Sequence, residues 1–205
     1  MTLIASECFM LTPAGALHAF SSKTPEPHAS TLQALLTGER ALDMAAWSAI
    51  EPLAPSVLGQ ALENGWVQVL QRSLQGPDAR LDDFLQYVIA SLSDERRAVL
   101  ASDAGFCLGR AGVEQDEADV LCAAAADYSD FAARQARRGW QGASHYVAFH
   151  RDAEFLQPEH VFMPFWVDGT GYWLILMGEP LLNNPALVEL MWGLKQAGTR
   201  FDTLG

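Results

Sequence analysis

Val99-Leu100-Ala101-Ser102-Asp103-Ala104-Gly105-Phe106-Cys107-Leu108-Gly109-Arg110-Ala111-Gly112 is the stretch on which the fold turns. Two short apolar runs, Arg97 to Ala101 and Phe106 to Arg110, flank Ser102 to Gly105. Small polar residues between apolar runs are the chemistry of a tight β-hairpin, with Gly105 suited to positive φ. Upstream, Leu81, Phe84, Leu85, Val88, Ile89 and Leu92 recur at spacings of three and four, the mark of an amphipathic helix. Downstream, Glu114 to Arg138 is the longest helical pattern in the chain. It opens on Glu114, Asp116, Glu117 and Asp119 and closes on Arg134, Arg137 and Arg138 before Gly139. Acids at the start and bases at the end complement the helix dipole and mark both termini.

Three more strands are expected: Ser144 to His150, Glu159 to Trp166 and Tyr172 to Met177. Val167 to Gly171 joins the last two as a second hairpin. Asn183-Asn184-Pro185 then opens a final helix, with Ala186, Leu187, Leu190, Met191 and Leu194 on one face. The order is helix, two strands, helix, three strands, helix.

That order, with Val99 to Gly112 ahead of an Ala-rich helix (Glu117 to Ala126), resembles the dynein-light-chain roadblock family. In that family a strand, Asp-x-Gly, strand hairpin leads into the central helix, and Asp103 and Gly105 stand at those positions here. The resemblance runs from about Leu81 to the end. It implies an α+β fold of roadblock/profilin-like type: a five-stranded antiparallel sheet with helices on both faces, one against two. It also implies homodimers, formed by pairing the middle strand edge to edge and packing the long helix beside its twin. Ser144, Tyr146 and Ala148 of the strand, and Val120, Ala124, Tyr128, Phe131 and Gln135 of the helix, would then lie at the interface. Those five helix residues make one stripe, and Leu121, Ala125 and Ala132 make an adjacent one. So wide an apolar arc can cover both its own sheet and a partner, or be buried within one monomer. Several bacterial members of the family act on small Ras-like GTPases as activators or polarity regulators, and such regulators often work by remodelling the GTPase's own site. The resemblance therefore implies a non-enzymatic regulatory or scaffolding adaptor.

Composition divides the chain near Gln75-Gly76-Pro77-Asp78 into an N-terminal domain, 1–76, and the domain just described, 77–205. Glu7 to Phe20 reads as two strands around the turn Thr12 to Gly15. Leu32 to Leu36, Ala41 to Ala49 and Ser56 to Glu63 read as three short helices, and Trp66 to Leu70 as a strand. Three short helices and such a strand resemble a winged helix. Residues 1–76 hold three basic side chains (Lys23, Arg40, Arg72) against six acidic ones (Glu7, Glu26, Glu39, Asp43, Glu51, Glu63). Pro55 to Gly65, where the reading helix would lie, has no Lys or Arg. DNA affinity needs several phosphate-neutralising cations, so this piece is expected to pack or bind protein rather than read DNA.

The 205 residues carry a net charge of -12 and are 50% hydrophobic, which favours a packed core and disfavours nucleic acid or anionic membrane as partner. Val161 to Met177, the most apolar region, is broken by Asp168, Gly169 and Gly171 and reads as strands rather than a membrane span. No signal peptide is recognisable, and Cys8, Cys107 and Cys122 lack redox or metal spacing, so a cytoplasmic protein with reduced thiols is expected. No cofactor is called for. His145 and His150 would point to opposite faces of one strand, while His18, His28 and His160 are scattered in sequence, so no metal site is expected. No nucleophile motif or phosphate loop stands out. Two other readings stay open: a sensor module holding a small apolar ligand between sheet and helices, and a transcriptional regulator.

Overall fold

The structure, a computed structural model, describes residues 7–77, 81–140, 146–150, 154 and 156–202, without the side chains of 81–83 and 199–202. Its second half is α+β, with a five-stranded, wholly antiparallel sheet. α5 (Leu81–Ala90) precedes β4 (Ala98–Ser102) and β5 (Cys107–Ala111), and α6 (Gln115–Ala136) follows. Then come β6 (Val147–His150), β7 (Pro158–Val167), β8 (Thr170–Met177) and α7 (Pro185–Asp202). Across the sheet the order is β5-β4-β8-β7-β6, which leaves β6 and β5 at the two edges.

Both hairpins close through residues that tolerate left-handed backbone. Gly105 sits at φ 85, and Asp168 and Gly169 at φ 49 and 78. Two successive positive-φ residues in a two-residue loop match the right-handed twist of the flanking strands, which favours Asp-Gly there. The Asp168 carboxylate also accepts from Lys195 Nζ at 2.5 Å, tying the β7–β8 turn to α7.

Alternation along the strands gives the sheet two apolar faces. Val99, Ala101, Phe162, Trp173, Ile175 and Met177 pack under Ala118, Leu121, Cys122 and Ala125 of α6. Leu100, Val161, Met163, Phe165, Leu174 and Leu176 belong to the core that holds α5 and α7. One helix therefore covers one face and two cover the other.

The N-terminal part forms β1 (Cys8–Leu11), α1 (Pro13–Ala19), α2 (Pro27–Gln33), a short 3-10 turn (Ala34–Leu36), β2 (Leu42–Asp43), α3 (Met44–Ile50), α4 (Ala54–Glu63) and β3 (Val67–Leu70). Its three-stranded sheet runs β2-β1-β3. Phe9, Leu11, Phe20, Leu35 and Trp47 belong to the same continuous core as α5 and α7. Trp192 Nε1 of α7 donates to the Gly38 carbonyl at 2.7 Å, and the Trp166 N–H of β7 donates to the Phe20 carbonyl at 3.0 Å. The N-terminal part is thus packed on the sheet layer through shared apolar contacts and backbone bonds.

The sequence reading errs at Thr12 to Phe20. A strand was expected after the turn, and a helix is found. Thr12 caps α1, its Oγ1 accepting from Gly15 N at 3.1 Å, and Pro13 occupies the first turn, where its missing N–H costs nothing. Gly15 is required there: a Cβ would lie 1.9 Å from the Trp66 carbonyl oxygen, so only a bare backbone lets α1 approach the start of β3. The other shifts are smaller. α4 starts at Ala54, with Pro55 in its first turn, and Asp43 caps α3 by accepting from Ala46 N at 2.8 Å.

Candidate protein-contact site

α6 is longer than the sheet beneath it needs. Its buried residues are Ala118, Leu121, Cys122 and Ala125, all in the first half. The stripe expected at an interface divides: Ala124 and Tyr128 pack against the margin of that core, while Val120 and Phe131 open to solvent. Val120 is 69% exposed and Phe131 40% exposed, with Ala124 and Gln135 half-buried. Tyr128, also half-buried, bridges helix and sheet, its ring 5.0 Å from Phe162, 6.0 Å from Phe149 and 6.1 Å from Trp173. Burial, followed by the charge of Asp127, pushes its hydroxyl above the usual phenol range, so it stays neutral. Ser129 Oγ accepts from Trp173 Nε1 at 2.7 Å and fixes the helix over the sheet at this level.

β6 lies beside this helix as an edge strand, pairing with β7 on one side. An edge presents backbone N–H and C=O groups to any chain that can pair with it. Tyr146 is exposed and Ala148 half-buried, and both turn toward the α1 and α7 side. Ser144 lies outside the described residues. Sequence reasoning missed two aromatics. Phe149, 44% exposed, shares the α6 side of the strand with Val147, which the period of two could have shown. Trp140, 54% exposed, packs edge-on against Phe131 at 6.3 Å just beyond the helix, where no periodicity points to it.

Val120, Phe131, Trp140 and Phe149 are thus large apolar side chains open to solvent along one helix and the neighbouring strand. Charges bracket them. Asp116 and Asp119 are exposed at one end of α6, and Arg134, Arg137 and Arg138 at the other. Glu117 is already engaged, its carboxylate accepting twice from Arg97 Nη2 at 2.7 and 2.9 Å.

Elsewhere the chemistry is sparse. Among the described residues no group of three or more His, Cys, Asp or Glu could hold a metal ion, and no helix is long and apolar enough to cross a membrane. Burial first, then neighbouring Cys107, pushes the Cys122 thiol up to about 12, which leaves it unreactive. His18 and His28, scattered in sequence, come together in space, with Nε2 atoms 3.1 Å apart. A cavity of about 760 Å³ lies between the second half of α6, the β7–β8 hairpin and residues 21–24, with Trp166, Tyr172 and Trp173 in its lining.

No family model matches the chain, and no curated protein does. Among solved structures it is similar to a Roadblock/LC7 domain from Streptomyces avermitilis, at 18% identity and a TM-score of 0.38. The likeness covers 62% of this chain and 100% of that one. At that level it assigns neither family nor function.

Proposed function

We propose that the chain is a non-enzymatic, cytoplasmic regulatory or scaffolding protein that forms a homodimer through α6 and the β6 edge. The observation that carries this reading is the solvent-open row of Val120, Phe131, Trp140 and Phe149 beside an edge strand. Exposed apolar groups gathered on a helix and strand are costly in water and mark contact surfaces. The charge gradient along α6 gives the dimer an orientation. Antiparallel packing about a centre near Tyr128 sets Asp116 and Asp119 of one copy toward Arg134 and Arg138 of the second. Parallel packing would set like charges together.

The partner class comes from the sequence resemblance: a small Ras-like GTPase, held by the sheet and helix surfaces that the dimer leaves open. The N-terminal part acts in this reading as a winged-helix-like packing and protein-contact module. Nucleic acid does not fit its three basic residues.

The experiment is affinity capture from the native host with wild type and with Phe131→Asp, identifying retained proteins by mass. The purified GTPase is then assayed for nucleotide hydrolysis with and without the chain. Retention of a Ras-like GTPase whose hydrolysis rate the wild type alters supports the reading. Recovery of DNA or of a bound metabolite overturns it. A second reading, the ligand sensor, has one observation in its favour, the Trp-lined cavity. A small molecule copurifying there and lost in Trp166→Ala would establish it.

A further inference from the structure

His18 lies in the last turn of α1 and His28 in the first turn of α2, ten residues apart in the chain. Their Nε2 atoms stand 3.1 Å apart, within hydrogen-bond distance. The His18 ring lies flat on the Trp66 indole, centroids 3.8 Å apart and planes 9° apart. On the far side of His28, Nδ1 is 3.6 Å from a carboxylate oxygen of Glu26. Four residues from three separate segments thus form one stack, Glu26–His28–His18–Trp66, which clasps α1, α2 and the start of β3.

We propose that this stack is a pH-sensitive latch: closed while at least one of the two imidazoles is neutral, and opened when both are protonated. In the neutral pair one Nε2–H donates and the other Nε2 accepts. One added proton converts this to an imidazolium donating to an imidazole, which keeps the bond and places positive charge near Glu26. A second proton removes the only lone pair between the rings and sets two cations 3.1 Å apart. The rings must then separate.

The surroundings agree. Within α1, α2 and β3 no other side chain titrates. Glu26 just before α2 and Glu63 at the end of α4 are the nearby carboxylates in sequence, Lys23 lies in the connection between α1 and α2, and β1, packed on α1 and β3, carries the buried thiol of Cys8. α7, which also packs on α1, carries Glu189 and Lys195 among its described side chains, the latter paired with Asp168. Burial first, and then the charge of His28, hold His18 below the ordinary imidazole range, with Glu26 acting the other way. Opening matters beyond the stack because the residue after α1 accepts the Trp166 N–H of the large sheet. Separating α1 from α2 and Trp66 therefore loosens the N-terminal part from the sheet layer.

The test is an NMR titration of the histidine rings in the full chain, wild type against His28→Gln and Glu26→Gln. The latch requires shifts of opposite sign: the His18 midpoint rises in H28Q and falls in E26Q. Wild-type α1 amides, Phe20 N–H among them, should exchange with solvent faster in mild acid than their intrinsic rates explain. That acid-dependent excess should vanish in H28Q. Glu26 is exposed, so E26Q folds even if H28Q does not. A His18 midpoint unmoved in E26Q, or moved upward, overturns the proposal. So does α1 exchange that follows intrinsic rates through the titration.

Discussion

Removing the Trp192 side chain probes the joint between the two halves of the molecule. Trp192 is 3% exposed, lies in the core shared by α7 and the N-terminal part, and donates to the Gly38 carbonyl at 2.7 Å. Trp192→Phe keeps an aromatic ring but loses that bond. The Gly38 carbonyl still accepts from Gln196 Nε2 at 3.1 Å, so no buried acceptor is orphaned. The cost is therefore the bond itself, about 0.5–1.5 kcal/mol, plus a smaller loss for the ring volume that Phe leaves unfilled beside Gly76. Trp192→Ala also empties the space beside Gly76 and should cost about 3–5 kcal/mol, the range for deleting a buried aromatic. Set against a typical stability of about 5–15 kcal/mol, the Ala variant should be visibly weakened. Urea unfolding followed by far-UV circular dichroism measures both, without relying on tryptophan fluorescence. One transition, moved slightly by W192F and strongly by W192A, is expected. A W192A loss below about 1 kcal/mol, or two separate transitions in wild type, would refute the shared core.

Other perturbations bear on single contacts. Gly15→Ala drives a Cβ into the Trp66 carbonyl and should lower the melting temperature and disturb the His18–Trp66 stack, whereas Gly59→Ala, with open space around it, should be neutral or stabilising. Glu117→Gln breaks the pair with Arg97. With both side chains more than a third exposed, the loss should stay below about 1 kcal/mol and shrink in high salt. Native protein treated with a thiol reagent should label half-buried Cys107 first, while buried Cys8 and Cys122 label only as the chain unfolds. The folded state disfavours the charged form of His18, so its contribution is intact above the ordinary imidazole pKa of about 6.5 and declines as pH falls below it. Thermal melts from pH 7.5 to 5.5 should show that decline and should flatten in His18→Gln.

What could be read from the sequence was local. The hairpin turns at Ser102 to Gly105 and at Asp168-Gly169 announce themselves because positive φ restricts the residues allowed. α6 announces itself through its acidic start and basic end. α1 does not, because seven residues ending in Leu17-His18-Ala19 are too few to establish a period, and its helical state depends on the Thr12 cap and on Gly15 meeting Trp66. The pairing of His18 with His28 depends on the path of the chain between them, which composition does not encode. Five stripe residues on α6 were legible from spacing. Their division into buried and exposed sides was not, since that depends on where the sheet ends beneath the helix. Phe149 lies outside the expected set because Tyr146 and Ala148 occupy the opposite face of the strand.

The mass of the protein in solution bears most directly on the proposed use of α6 and β6, measured by light scattering on wild type and on Val120→Glu/Phe131→Asp. Wild type should show twice the 22.4 kDa of one chain. The double variant should show a single chain with unchanged circular dichroism, since both side chains are exposed. A wild type that remains one chain at high concentration, or a double variant that remains a dimer, would contradict the interface.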